Sequence, residues 1–179
     1  MFKGLFGRRT PPSQTTPLSE AVRGLYPSLV LDIPTPDVTH ALSAWGWLDP
    51  PSTGVALVGP FGDMFFETPD GVVTLDMMEG ALRVVAQDRE AFVQAIGDNE
   101  YRDMLLGDVW VQAAARRGLS LDPRECFDWT LPPVLGGQCS VETVTKTLFV
   151  VKADLAAQLH QQVKDLPPGA PITGVTLDD

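Results

Sequence analysis

Apolar residues recur along this chain with two different periods, and each change of period marks an element. Leu18, Val22 and Tyr26 fall four apart, which predicts a short helix. Thr35 and Pro36 read as the cap and first turn of a second helix, with Val38, Leu42 and Trp45 at i, i+4 and i+7 and Gly46 at its end. Over 55–86 the period shortens. Val55–Val58, Met64–Glu67, Val72–Asp76 and Leu82–Ala86 are β-type runs separated by turn residues. Pro69-Asp70-Gly71 and Met77-Met78-Glu79-Gly80 read as the tight turns of an antiparallel meander.

Helical spacing returns after Asp88, a good N-cap, with Phe92, Ala95 and Ile96 on the buried face. A longer helix is predicted over 100–117, with Tyr101, Met104, Leu105, Val109 and Ala113 inward. Arg116 and Arg117 suit the negative end of its dipole, and Gly118 follows as a stop. Asp122-Pro-Arg-Glu125 has capping-box spacing. A strand over Phe127–Leu131, the Pro132-Pro-Val-Leu-Gly-Gly137 turn and a strand over Val144–Val151 come next. A closing helix runs from about Ala153 to Leu166, with Leu155, Leu159 and Val163 on one stripe. The predicted fold class is α+β, an antiparallel sheet meander with helices packed against it. Residues 1–17 read as a flexible tail, polar and proline-rich over 10–17, and 18–179 as a single domain.

Composition narrows the function. At 179 residues and 44% apolar the chain has enough to bury one core, and no apolar run approaches the ~20 residues of a membrane helix. Met1–Arg9 is too short and too interrupted for a signal peptide, so a soluble, cytoplasmic chain with no stable membrane association is expected. The net charge of -10 is uneven: Lys3, Arg8, Arg9 and Arg23 against Glu20 give the first 24 residues +3, leaving the other 155 with -13. So acidic a body repels phosphates, which argues against direct nucleic-acid binding and favours a basic partner.

Motifs for chemistry are missing from the sequence. Cys126 and Cys139 lie 13 apart with no C-x-x-C and read as reduced, small buried hydrophobes. His40 lies opposite or beside the second helix's apolar stripe; His160 reads as an exposed histidine on the last helix. Neither belongs to an H-E-x-x-H pattern. Gly136-Gly137 lacks the Lys-Ser/Thr of a phosphate loop and reads as a turn that needs positive φ. Met77-Met78 reads as a strand end at the core edge. No catalytic, cofactor-binding or metal-ligating residue is assigned, and no cofactor is expected.

Several separated blocks carry a resemblance: Glu125-Cys-Phe-Asp-Trp-Thr-Leu-Pro-Pro-Val-Leu-Gly-Gly137, Val141-Glu-Thr-Val144 and Gln158-Leu-His-Gln-Gln-Val-Lys-Asp-Leu-Pro-Pro-Gly169. This run resembles the C-terminal domain of type VI secretion immunity proteins, which protect a bacterium from its own DNase effector. Trp45-Gly-Trp47 and Phe61-Gly-Asp-Met-Phe65 look like the companion GAD-like module. The resemblance divides the domain into a GAD-like half over 18–86 and an immunity-type half over 87–179. Thr143 and Ala157 depart from the family's usual asparagine and glycine. What the resemblance implies is a non-enzymatic protein that binds a cognate effector or toxin, a basic nuclease. A relative of the same fold with another partner stays open as the alternative. The partner-binding candidates are acids expected to be exposed in the meander and loops: Asp63, Asp70, Asp76, Glu79 and Asp98. An apolar patch near the Trp45/Trp47 turn is the second candidate surface.

Overall fold

The computed structural model describes residues 16–167, 172 and 174–176, so the expectation of a tail over 1–17 lies almost wholly outside the described residues. The chain begins with α1 (Leu18–Leu25) and α2 (Thr35–Ala44), each followed by a 3₁₀ turn. The meander follows as β1 (Val55–Val58), β2 (Met64–Thr68), β3 (Gly71–Asp76) and β4 (Ala81–Ala86). Next come α3 (Arg89–Ala95), α4 (Asn99–Leu106) and α5 (Asp108–Arg116). β5 (Glu125–Trp129), β6 (Val144–Leu148) and α6 (Phe149–Val163) complete the described chain. The first sheet is antiparallel in the order β1-β2-β3-β4, and β5 pairs with β6 in a second, two-stranded antiparallel sheet. The architecture is α+β, with the meander and both of its turns where the apolar pattern predicts them.

The four-stranded sheet is covered on both faces, which explains the apolar run Met64-Phe65-Phe66 in β2. Successive side chains point to opposite faces. Phe65, Val72 and Leu57 join one core with residues of α1, α3, α4 and α5. Met64, Phe66, Leu75 and Val58 join another with Trp45, Phe149, Ala153 and Ala157. α2 and α6 pack on each other over this second face. β5 divides likewise, Cys126 going to the second core and Phe127 and Trp129 to the first. Trp45 is wholly buried and stacks on the half-buried Trp47 at 5.8 Å, so this pair is core and not the exposed patch expected of it.

β5 lies two residues earlier than the strand expected over Phe127–Leu131. Three further boundaries differ from expectation, each for a local reason. Thr35 does not cap α2. Pro34 occupies the cap position with no side-chain bond, and Thr35 is the first helical residue. The helix expected over 100–117 breaks at Gly107, whose φ of 63° is left-handed, and a Cβ there would meet the Phe61 ring at 2.9 Å. The break turns Met104 and Val109 outward, 62% and 44% exposed, instead of into the core. Arg102 holds this joint. Its guanidinium donates to Asp108 at 2.8 Å, to the Ile96 carbonyl at 2.9 Å and to Asn99 at 2.7 Å, and lies over the Tyr26 ring. Lastly, the β-type run into Val151 turns helical at Phe149, whose buried ring and N–H bond to the Arg124 carbonyl override local propensity.

The Pro132–Gly137 segment is the turn expected between two strands. A 3₁₀ turn over Pro133–Leu135 ends on Gly136 at φ 87°. Asp88 caps α3 by accepting from the Ala91 N–H, and Glu125 accepts from the Asp122 N–H as the capping-box spacing requires.

Candidate functional site

The β3–β4 turn is where polar groups gather. Asp76 closes it by accepting from the N–H groups of Met78 and Glu79, both at 2.9 Å, and pairs with Arg83. Asp63, from the loop between β1 and β2, reaches across to accept the Met77 N–H at 2.8 Å. On the other side of the same residue the His160 Nε2 lies 3.2 Å from the Met77 carbonyl. A carboxylate and an imidazole therefore hold the Met77 backbone from two elements distant in sequence. Gly80 completes the turn at φ 63°, so close to His160 that a Cβ there would sit 2.3 Å from the ring. Gly80→Ala should lose about 2 kcal/mol in a urea melt, from left-handed strain and overpacking together. A loss below a few tenths of a kcal/mol would show that His160 does not press on this turn.

Lys152 is the other organising group. It sits in the first turns of α6, 8% exposed, and donates from Nζ to the Phe127 carbonyl at 2.9 Å, with Asp128 Oδ1 at 3.1 Å. The ammonium also lies 5.4 Å from the centre of the Phe61 ring. A buried lysine with one strand on one side and an aromatic ring on the other is held in a single geometry.

Between this lysine and the α4–α5 joint lies a cleft of about 120 Å³. Phe61, Trp110, Trp129, Met78, Met104 and Cys139 wall it, and Asp63, Asp103 and Lys152 supply its polar part. Trp110 meets Trp129 edge-on at 5.3 Å, and Phe61 stacks on Trp129 at 5.3 Å, so this wall is rigid. Met78 and Met104 are exposed, which leaves the rim soft and adaptable. Met78, Trp129 and Lys152 also border a second crevice of about 40 Å³, which reaches Asp128, the Pro132–Val134 turn and His160.

Burial sets the ionisation here. The Asp63 carboxyl is pushed up to about 6, first by desolvation and then by the negative charge of Asp76. The Met77 N–H, Lys152 and Arg83 oppose that rise. The Cys126 thiol is pushed up to about 12 by burial, which leaves it a poor nucleophile at neutral pH. Burial also lowers the His160 pKa, with the Met77 carbonyl opposing. Among the described residues no group of three or more His, Cys, Asp or Glu is placed to hold a metal ion, and no helix is long and apolar enough to cross a membrane.

The five candidate acids do not form one patch. Asp63 is half-buried and Asp76 only 9% exposed, because their carboxylates satisfy backbone N–H groups of the β3–β4 turn; they are not the exposed acids expected. Glu79 is exposed on that turn. Asp70 is exposed on the β2–β3 turn, at the far end of the six-residue β3, roughly 20 Å away at ~3.3 Å per residue. Asp98 is exposed and caps α4 through the Tyr101 N–H. Two further expectations are corrected. His160 is buried, 8% exposed, because α6 turns it onto Gly80. Cys139 is exposed, with its Sγ 3.9 Å from the Met78 Sδ, and only Cys126 is a buried thiol.

Lys152, Asp128, Trp110 and the Met78/Met104 rim were not singled out from sequence. Lys152 does carry a signal, as a lone charge inside the apolar run Leu148-Phe-Val-Val-Lys-Ala153. No protein-family model, curated protein or solved structure matches this chain. Most of the blocks on which the resemblance rests converge in space, Val141–Val144 excepted. Phe61 and Asp63, Asp128 and Trp129, Pro132–Val134 and His160 all border the two crevices, and Trp45 lies 5.9 Å from the His160 ring.

Proposed function

We propose that this chain is a protein-binding, immunity-type inhibitor that neutralises a cognate secreted toxin, a nuclease with a basic face. The observation that supports the reading is the convergence of those separated blocks on one cleft region in which three carboxylates, Asp63, Asp103 and Asp128, face one ammonium, Lys152. The net charge of -10 has the same sign. An acidic surface attracts the cationic groups with which a nuclease holds phosphates, and steering speeds capture.

Co-expression should rescue bacteria from the toxin encoded beside this chain's gene, and the purified pair should form a tight complex. The association rate should fall tenfold or more as salt rises from low to several hundred millimolar, since the Debye length shrinks from about 10 Å at 0.1 M towards 3 Å at 1 M. Changing the three exposed candidates together, Asp70→Asn, Glu79→Gln and Asp98→Asn, should slow capture while leaving the fold intact, because asparagine also caps α4. Failure of the neighbouring toxin to bind would remove the immunity assignment. Tight binding at a salt-independent rate would remove only the electrostatic route.

A further inference from the structure

We propose that the cleft between the β3–β4 turn and the α4–α5 joint is the docking site for one arginine side chain, carried on an apolar loop of the protein partner, with Asp63 as its counter-ion. The inference rests on the protein-binding reading and adds to it the surface and the chemistry of its occupant. Size is the first argument. At about 120 Å³ the cleft falls well below the ~300–1,000 Å³ of small-molecule and cofactor sites, and suits a single inserted side chain.

Charge is the second. Asp63 uses Oδ1 on the Met77 N–H, and its Oδ2 has no hydrogen-bond partner among the described residues. Asp103, which bonds the Val109 N–H, stands on the same cleft. Lys152, the one cation among the described residues that line the cleft, already has the Phe127 carbonyl and Asp128 as partners. The group in the cleft left without a protein partner is therefore a solvent-accessible acceptor, to which a donor carrying positive charge is complementary. The walls choose between the cations. The half-buried Trp110 offers ring surface on which a planar guanidinium stacks, backed by the buried Trp129, and arginine is less strongly hydrated than lysine, so it enters such a site at lower cost. Around the mouth, Met78 (44% exposed) and Met104 (62%) supply apolar surface for the residues flanking that arginine.

The test uses N-acetyl-arginine amide as the probe and N-acetyl-citrulline amide as its uncharged isostere, titrated into the full chain and followed by the indole N–H resonances of Trp110 and Trp129. At pH 7.5 the arginine amide should give saturable shifts of both indoles at millimolar concentration, and the citrulline amide should bind at least fivefold more weakly. Binding should weaken at least fivefold between pH 7.5 and pH 5, as the Asp63 carboxyl takes up its proton with a pKa of about 6. Asp76, Asp103 and Asp128 also face this region, as do Lys152 and Arg83, and burial lowers the pKa of His160. Asp63→Asn, which keeps the acceptor for the Met77 N–H and so the fold, should abolish both the binding and its pH dependence. Equal binding of citrulline, unchanged binding to Asp63→Asn, or no saturable shift would each overturn the proposal. The same holds if Met104→Lys, which places a cation on the exposed rim, captures the toxin as well as the unaltered chain does. If the arginine amide saturates the cleft while the neighbouring toxin fails to bind, the immunity reading falls and the arginine site stands.

Discussion

Lys152→Met is expected to lose about 3–5 kcal/mol of folding stability, because it strips the buried positive charge from a site shared with Asp128 and Asp63. The Lys152 side chain is 9% exposed, and the Asp128 side chain 18%. Removing one partner of such a pair leaves the other desolvated and unpaired, and the Phe127 carbonyl loses its side-chain donor as well. Methionine fills nearly the same volume, so the loss reads out charge and hydrogen bonding more than packing. The companion measurement is the double variant Lys152→Met/Asp128→Leu, which removes both charges and should recover a large part of the loss, since replacing a whole buried pair by apolar residues is often close to neutral. Urea unfolding of the two single variants and the double closes the cycle. A loss below about 1 kcal/mol for Lys152→Met would mean that the ammonium is solvated in solution and that the cleft is wetter than its geometry indicates.

The parts of this fold that sequence reasoning reached are those where a residue type dictates backbone geometry. Pro69-Asp70-Gly71 and Met77–Gly80 could only be turns between runs of β-type residues, so the strands of the meander fall within a residue of their expected ends. The parts it missed are those decided by neighbours distant in sequence. Gly107 inside a helical pattern is tolerated in many helices; it became a break here because Phe61 packs against its Cα and Arg102 braces the joint. The run from Val144 to Val151 has β propensity throughout, yet Phe149 turns helical to bury its ring in the second core.

The site was legible in its blocks but not in its assembly. Asp63 follows a glycine in a turn, a setting that usually means solvated charge, and nothing local tells that its carboxylate instead serves a backbone N–H 14 residues away. A stripe through Leu155, Leu159 and Val163 leaves His160 exposed. Leu159 is buried as that stripe requires, but the buried face also runs through Phe149, Ala153, Ala157 and His160, one step round the helix, and so carries His160 and Lys152 inward together. Once the helix start moves to Phe149, the single charge in an apolar run explains itself as the cation of a buried cluster.

Asp63→Asn is expected to stabilise the protein at pH 7.5 by up to about 3 kcal/mol and to leave its stability at pH 4 unchanged. The Asp63 carboxyl titrates at about 6 in the folded chain against 3.8 without the fold around it. Between those values the folded state keeps a proton that the unfolded state has released, so stability falls as pH rises through this window. The contribution is fully present below pH 3.8 and gone above about pH 6. Some two pK units at 1.36 kcal/mol each set the ceiling, and the amide's own unmet donors reduce the gain. His160 works in the opposite sense. Its lowered pKa lets the unfolded state take up a proton first, so its contribution is lost as pH falls below its ordinary value of 6.5. The carboxylates held low by partners, Glu125 beside Lys146 and Asp32 beside Arg23, likewise lose their contribution as pH falls. These groups are common to both proteins, so the difference between their pH–stability curves isolates Asp63. That difference should open between pH 4 and pH 6 and stay level above it. A flat difference would mean that the carboxyl reaches water freely. A variant less stable than the parent at pH 7.5 would mean that the charged pairing with Lys152 outweighs desolvation, and in that case the cleft holds its counter-ion already.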